Sequence, residues 1–409
     1  MADTLDRVST LQLPIGYTCH NNCVFCCDGG RGRHGPRPDT AVLERILDRN
    51  QALGTVVFTA HEPTLNPDLP RLAKHAAEHG FETVSIITNG RRLGRGKLLD
   101  ELLEAGVNCF HISIHAPAAE LHDHITQTPG SFDQAVAGIR AIQKERRQRD
   151  VGLVLHTTVT NLNIDIIGQM VPFIGQFAPD AYAMNALFIS GRALDNVDDV
   201  GLDFHTMVDK LADALDGCDA PFPVRVSEIP MCQALGRIPN KHLSMREAFH
   251  VPPRADDGTF LSTEADAITR GFVHGERCSS CFARDACDGI PQVYVERWGW
   301  DAFRPVTRSM LEASLFHSRE ELHRLLDHPS GNWEVDEIQV YSERAIVQIS
   351  CEQVPAGLEL ILRQYDTGRP AYRRSKRFNV ALKGRDHDRA QCRLAEEIVR
   401  QLQVTEAAA

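Results

Sequence analysis

The stretch that decides the fold begins Leu11-Gln12-Leu13-Pro14-Ile15-Gly16-Tyr17-Thr18 and continues Cys19-His20-Asn21-Asn22-Cys23-Val24-Phe25-Cys26-Cys27. Its first part reads as a strand, and the cysteines fall in the loop that follows. Cys19, Cys23 and Cys26 are separated by three residues and then by two. Three thiolates can hold three irons of a cubane and leave the fourth open, as a chelating amino-acid ligand requires. Zinc ribbons pair their cysteines as Cys-x-x-Cys instead. The spacing therefore points to iron, with a structural zinc or a group of reduced thiols as the plain alternative. Cys27 reads as a buried thiol and His20 as a loop side chain.

Outward from this loop the chain alternates short β runs with amphipathic helices. After a Gly/Arg/Pro-rich stretch at 29–38, Val42, Leu43, Ile46 and Leu47 recur at helical spacing and predict a helix over 39–53, stopped by Gly54. Strands are expected over 55–59, 82–88, 108–115, 152–160 and 181–189, with helices over 68–79, 97–105, 131–148 and 164–177. About six β/α units favour a parallel sheet with right-handed crossovers. Active-site residues then belong at the C-terminal ends of the strands, where the cysteine loop already lies.

The cysteine spacing, with aromatic Phe25 just before the last cysteine, resembles the signature of the radical S-adenosylmethionine (SAM) superfamily. The order of motifs extends that resemblance over residues 10–225. It implies a partial (β/α)6 barrel with a [4Fe–4S] cluster on Cys19, Cys23 and Cys26, whose unique iron binds the amino and carboxylate groups of SAM. One electron, from a flavodoxin- or ferredoxin-type donor, then cleaves SAM to a 5′-deoxyadenosyl radical that abstracts hydrogen from an unactivated C–H bond.

Further residues carry the resemblance. Thr59-Ala60-His61-Glu62-Pro63-Thr64 stands where the family usually has Gly-Gly-Glu-Pro. Glu62 and Pro63 match, whereas Ala60 and His61 replace two glycines and so give up backbone freedom. There the resemblance places backbone contacts to SAM, with Glu62 supporting the strand end; His61 reads either as facing substrate or as packed. Thr88-Asn89-Gly90 matches the third-strand ending, and Ser113-Ile114-His115 resembles the family's Ser-x-His segment. Thr157, Thr158 and Asn161 fall in the fifth strand's SAM-contact region. Gly191-Arg192-Ala193 resembles a segment of members with added cluster domains. Phe25, Ala60, His61, Glu62, Thr88, Asn89, Ser113, His115, Thr158, Asn161 and Arg192 are thus the expected cofactor-site residues.

A second cysteine group follows. Cys278, Cys281 and Cys287 are spaced by two and then five residues, with Cys232 upstream. Four thiolates on an irregular scaffold can close a metal site completely, and zinc would suit the same geometry. The spacing resembles the SPASM/twitch auxiliary domains that follow some radical SAM barrels. A full SPASM domain carries seven cysteines, so the shorter twitch type with one further [4Fe–4S] cluster is implied. With Cys232 as fourth ligand the site is closed; without it the cluster would have an open iron.

The expected organisation is a barrel over 10–225, an auxiliary iron–sulfur unit over 226–304 and a small α+β domain over 305–409. In the last, a helix is expected over 309–326 and a closing helix over 388–402. Period-2 alternation at Ile338/Val340, Val347/Ile349 and Leu358/Leu360/Leu362 predicts an antiparallel sheet between them. Isolated Cys109, Cys218, Cys351 and Cys392 read as small core residues. Arg369, Arg373, Arg374, Lys376 and Arg377 read as a solvated strand edge, or as a site for an acidic peptide or phosphorylated substrate.

Bulk properties bound the function. The chain has 409 residues, 43% apolar and 24% charged, as in ordinary globular proteins. A net charge of −11 disfavours non-specific nucleic-acid binding. No signal peptide and no membrane-spanning run are seen, so a cytoplasmic setting is expected, where the twelve cysteines stay reduced. The functional expectation is a radical SAM enzyme acting on a small polar metabolite by oxidation, epimerisation or bond formation. A peptide maturase is the alternative, disfavoured because the barrel starts near residue 10 and leaves no room for a leader-binding domain in front. A non-catalytic iron–sulfur or zinc protein is the alternative from another class.

Overall fold

The computed structural model describes residues 8–29, 32–33, 36–239, 242–243, 248–250, 271–284, 287, 289–307, 310, 326, 333–340, 344–352, 354–363, 373–374 and 379–382, and parts of a helix between 390 and 400. The chain divides into two compact units, Met1–Thr307 and Arg308–Ala409. The boundary expected at 225/226 falls inside the first.

The first unit is built on one parallel sheet. Its strands are β1 (Val8–Pro14), β2 (Thr55–Thr59), β3 (Thr83–Thr88), β4 (Cys109–Ser113), β5 (Gly152–Val159), β6 (Ala181–Ala186), β7 (Val224–Ser227) and β8 (Ala248–His250). They lie in the order β8-β1-β2-β3-β4-β5-β6-β7, every pairing parallel. Helices cross between them: α1 (Thr40–Asn50), α2 (Leu69–Glu78), α3 (Leu98–Glu104), α4 (Ala119–Thr126), α5 (Ser131–Glu145), α6 (Ile167–Gly175) and α7 (Phe204–Leu215). This is the partial (β/α) barrel expected, with two more strands than foreseen. The two further strands, β7 and β8, are too short to show a period in the sequence.

Chain connectivity requires the sheet to curl. Leu243 bridges to Val226 at one edge, while Ala248 pairs with Val8 at the other. Laid flat, eight strands would separate those edges by about 34 Å, yet the chain between Leu243 and Ala248 can span no more than about 18 Å.

The strand period sorts the residues onto two faces. Leu11, Leu13, Val56, Phe58, Ile86, Phe110, Ile112, Leu155, Tyr182 and Met184 belong to the main core, together with the buried stripes of the helices. The alternating residues Gln12, Ser85, His111, Ser113, His156, Thr158, Asn185, Arg225 and Ser227 occupy the other face, which lines the barrel lumen. Apolar Cys109, Val154 and Ala181 cluster at its floor. Asp39 caps α1 through Oδ1, accepting from the Ala41 and Val42 N–H groups at 2.8 and 3.2 Å, and Gly54 takes φ +70° where that segment stops, as expected.

After β8, a short antiparallel hairpin pairs β9 (Phe272–Val273) with β10 (Ile290–Pro291), followed by α8 (Gln292–Trp298). The second unit holds an antiparallel sheet of β11 (Glu334–Val340), β12 (Arg344–Cys351), β13 (Val354–Arg363), β14 (Arg373–Arg374) and β15 (Asn379–Leu382), in the order β11-β12-β13-β15-β14. Ile338, Val347, Ile349, Leu358 and Leu360 form its core with Leu394, Ala395 and Ile398 of the closing helix. Of the basic run, Arg373 and Arg374 form a strand; Arg369, Lys376 and Arg377 lie outside the described residues, as do Cys392 and nearly all of 309–326. Among the described residues no helix is long and apolar enough to cross a membrane.

Candidate active site

The cysteine loop follows β1 and is fastened from several strand ends. The Asn22 and Val24 N–H groups donate to the carbonyls of Thr126 and Ile125 at the end of α4, at 2.9 and 3.0 Å. The Glu62 N–H donates to Thr18 O at 3.2 Å, and the His61 N–H to Asp28 Oδ2 at 2.6 Å. Arg91 reaches over from the third strand end, its Nη1 donating to His20 O and Asn21 Oδ1 at 2.9 and 2.7 Å. From beyond β6, the Arg192 N–H donates to Cys26 O at 2.9 Å, Arg192 Nε to Cys23 O at 3.2 Å and Asn196 Nδ2 to Val24 O at 3.1 Å. Gly191 is required here: at φ +51°, a Cβ on it would lie 2.3 Å from Cys27 O.

Cys19, Cys23 and Cys26 lie close enough together that ionising one thiol disfavours ionising the others. Burial chiefly pushes the Cys19 thiol up to about 12, with the Cys26 thiolate among its further causes, and the Cys23 thiol is raised for the same reasons. Such thiols keep their protons unless a cation replaces them. Cys27, expected to be buried, is half-buried. His20 donates from Nε2 to Asn89 Oδ1 at 3.1 Å, a loop-bracing role.

The second strand end resolves the substitution of the two glycines. Ala60 and His61 adopt φ +69° and +45°, so the backbone keeps the left-handed path that glycine would favour, and two L-residues bear its strain. Gly16 makes room for this turn: a Cβ there would meet Ala60 O at 1.8 Å. Glu62 is 1% exposed and accepts four hydrogen bonds. Its Oε1 takes the Thr64 N–H, Thr64 Oγ1 and Thr88 Oγ1 at 3.1, 2.5 and 2.6 Å, and its Oε2 the Asn89 N–H at 2.9 Å. It welds the ends of β2 and β3 together. The Asn89 Nδ2 group is buried and makes no hydrogen bond among the described residues, and neither does Ser190 Oγ.

His115 is buried beneath the loop, edge-on to Phe25 at 4.8 Å between ring centroids, with Nδ1 accepting from the Thr158 N–H at 3.3 Å. Burial, then the charges of His122 and His156, holds its pKa well below the ordinary range, so it stays neutral. Ser113 and Thr158 are half-buried at the lumen rim. Asn161 is exposed and donates from Nδ2 to Asp199 O at 3.3 Å, so its side chain is engaged with the short helix Val197–Val200.

Below the rim runs a chain of polar groups that the sequence reading did not single out. Ser227 Oγ donates to Asn185 Oδ1 at 2.6 Å, and Asn185 Nδ2 lies 3.5 Å from His156 Nδ1. His156 Nε2 and His111 Nδ1 share a proton at 2.9 Å, and Cys109 Sγ lies 3.6 Å from His111 Nε2. Burial lowers the pKa of His156 to about 4; burial and then the His156 charge take His111 to about 3. Both imidazoles are neutral at pH 7. With Asn185 donating, each carries its proton on Nε2, since Nδ1 must accept. The alternation His111/Ser113 along one strand was the available signal, but both faces of a buried parallel strand look alike until its partners are known.

Comparison with known proteins fits this geometry. Residues 13–171 match the family described as the Radical SAM superfamily. The chain carries a radical SAM domain. The curated relatives it resembles carry enzyme names of more than one reaction type. The AdoMet-dependent heme synthase of Methanosarcina barkeri is 28% identical over 198 residues, 47% of this chain and 54% of that protein. The "Probable GTP 3',8-cyclase" of Methanopyrus kandleri is 31% identical over 153 residues, 36% of this chain and 47% of its own length. The chain thus spans about half the length of these curated relatives. Among solved structures, SuiB of Streptococcus suis superposes with a TM-score of 0.45 at 15% identity, over 59% of this chain and 54% of that one.

Beyond the radical SAM domain the four cysteines of the second group come together. Cys278 sits in a helical turn (Glu276–Ser280) inside the loop closed by the β9–β10 hairpin, followed by Cys281 and Cys287. Cys232 arrives from the turn after β7 (Met231–Ala234). All four line one cavity of about 220 Å³, with Arg277 and Arg284 at its wall. The Cys232 thiol is pushed up to about 12 by burial, then by the charges of Cys287, Cys281 and Cys278. Backbone N–H groups of Val306 and Gly289 donate to Cys281 Sγ and Cys287 Sγ at 3.3 and 3.4 Å, as metal-bound thiolates commonly receive.

Proposed function

We propose that Cys19, Cys23 and Cys26 hold a SAM-binding [4Fe–4S] cluster, and that the enzyme removes hydrogen from a small polar metabolite held in the lumen. The observation that carries this reading is the placement of three converging thiols at the mouth of a polar lumen. The donor set fits: three clustered cysteines beside a buried, unsatisfied Asn89 Nδ2 leave both an open metal corner and a hydrogen-bond donor for a polar ligand. With cluster and SAM bound, one electron from a flavodoxin- or ferredoxin-type donor would release the 5′-deoxyadenosyl radical that abstracts hydrogen.

The chain's own residues supply the rest. Glu62 and Arg192 fix the turn and the loop against each other, and Ala60, Thr88, Asn89, Ser113 and Thr158 line the rim where SAM would lie. His156 Nδ1, held only loosely by Asn185, is the nitrogen open to a substrate hydroxyl. It would accept a hydrogen bond from that hydroxyl while His111 Nδ1 holds the His156 Nε2–H in place. An oxidation or epimerisation in biosynthesis would use a substrate oriented in this way, and the polar wall favours a metabolite over an apolar group. Cys232, Cys278, Cys281 and Cys287 suit an auxiliary [4Fe–4S] cluster of the twitch kind. Four thiols close that site, which favours electron transfer over direct ligation of substrate. A reducing compartment such as the cytoplasm would keep all these thiols reduced.

Anaerobic reconstitution followed by dithionite and SAM tests the reading: 5′-deoxyadenosine release is expected, and no release at full iron loading refutes it. Candidate metabolites and short peptides are then compared for faster SAM turnover. Stimulation by peptides alone would overturn the small-molecule assignment in favour of a maturase.

A further inference from the structure

We propose that Asp48, His75 and His79 form a divalent-cation site on the outside of the barrel, suited to Zn²⁺, that staples α1 to α2. The two helices meet in rungs one turn apart. On the first rung Arg71 forks onto Glu44, with Nε–Oε1 2.8 Å and Nη2–Oε2 2.9 Å. One turn on, His75 Nε2 lies 2.8 Å from Asp48 Oδ1. A simple ladder would need nothing more there.

A third group joins this rung. His79, at the end of α2, brings its Nε2 to 4.0 Å from the same Asp48 Oδ1, too far for a hydrogen bond. Its ring stacks on His75 with centroids 3.9 Å apart and planes 14° from parallel. His79 Nδ1 lies 2.7 Å from the His75 carbonyl oxygen. A carbonyl only accepts, so Nδ1 carries the proton and Nε2 presents a bare lone pair toward Asp48. Histidine ligands are commonly held this way, with the second nitrogen bonded to a backbone carbonyl.

The chemistry selects the ion. The three ligand atoms lie within 4.8 Å of one another. Two protonated imidazoles stacked face to face would repel, whereas one cation satisfies both nitrogens and the carboxylate. Two nitrogens and one oxygen, with a position left for water, suit tetrahedral zinc; calcium and magnesium prefer oxygen throughout. The site opens to solvent, with 45% of the His79 side chain and 47% of that of Asp48 exposed. Since α1 and α2 follow β1 and β2, the ion would clamp the two crossovers behind the cysteine loop and the 60–64 turn. This site is independent of the function proposed above.

The test uses the full chain with its clusters loaded, stripped of loose metal by EDTA and dialysed anaerobically against zinc chloride, with zinc and iron measured together. About one zinc per chain at micromolar or tighter affinity is expected, with iron unchanged and a higher melting temperature. His79→Ala and Asp48→Asn should weaken uptake by more than about tenfold and abolish the zinc-dependent rise. Glu44→Gln, on the neighbouring rung, should leave uptake unchanged. Equal uptake by wild type and His79→Ala, absence of uptake, or zinc entering only as iron leaves would each overturn the proposal.

Discussion

Replacing Glu62 by Gln tests how the second and third strand ends are held. The carboxylate accepts three bonds on Oε1 and one on Oε2, from Thr64, Thr88 and Asn89, at 1% exposure. Glutamine keeps one acceptor oxygen and turns the other into an NH₂ donor. In its better orientation the oxygen keeps the three Oε1 partners, and the NH₂ faces the Asn89 N–H, donor against donor. Losing the acceptor of one buried N–H costs about 1–3 kcal/mol. The three remaining bonds weaken as the charge disappears, since bonds to ionised groups are roughly twice as strong as neutral ones. Together these place the loss at about 3 kcal/mol, or a melting temperature lower by roughly 6–12 °C. Anaerobic denaturation of the iron-loaded chain gives the stability, and hydrogen exchange of a peptide spanning 86–92 locates the change. Faster exchange at the Asn89 amide is expected. A loss under about 1 kcal/mol, or unchanged exchange there, would refute the claim that this carboxylate joins the two strands.

Other outcomes follow from the same geometry. Ala60→Gly should raise stability by about 0.5–1 kcal/mol in denaturant unfolding, because relief of left-handed strain outweighs the added freedom of the unfolded chain; destabilisation would contradict the strained turn. Cys278→Ala with Cys281→Ala should lower iron by about four per chain while 5′-deoxyadenosine release survives, and loss of all iron would contradict two separate sites. His156, with its pKa depressed from 6.5 to about 4, leaves the unfolded chain binding protons that the fold refuses between those values. Stability is therefore fully present above about pH 6.5 and is lost as pH falls toward 4, on the order of 2–3 kcal/mol. His156→Gln should flatten that dependence in denaturant titrations at pH 5 and 7, and an unchanged slope would deny the buried neutral imidazole.

Much of the fold and of the first site can be read along the chain because both depend on local spacing. Three cysteines within eight positions can converge in any compact loop, and helix stripes such as Val42, Leu43, Ile46 and Leu47 declare which face is buried. The C-terminal sheet was legible for the same reason, from alternation at Ile338, Val347 and Leu358. The short strands Val224–Ser227 and Ala248–His250 were not, since four and three residues carry no period and gain their place only by pairing with neighbours.

What the sequence determined by itself was chemistry: which side chains can bind metal, and that they follow a strand. What only the tertiary structure decided was company. Arg91, Asp28 and Asn196 are ordinary residues until folding sets them against the cysteine loop and its supports, and His111 and His156 are neutral because the curled sheet buries them against each other. Cys232 lies more than forty residues before Cys278, and it shares a cavity with Cys278, Cys281 and Cys287 only because the turn after β7 packs against the β9–β10 loop. The left-handed turn at Ala60 and His61 was likewise invisible, since nothing in alanine or histidine announces it. It is fixed by Gly16, whose missing Cβ admits the Ala60 carbonyl, and by Asp28 and Glu62, which hold the backbone on either side.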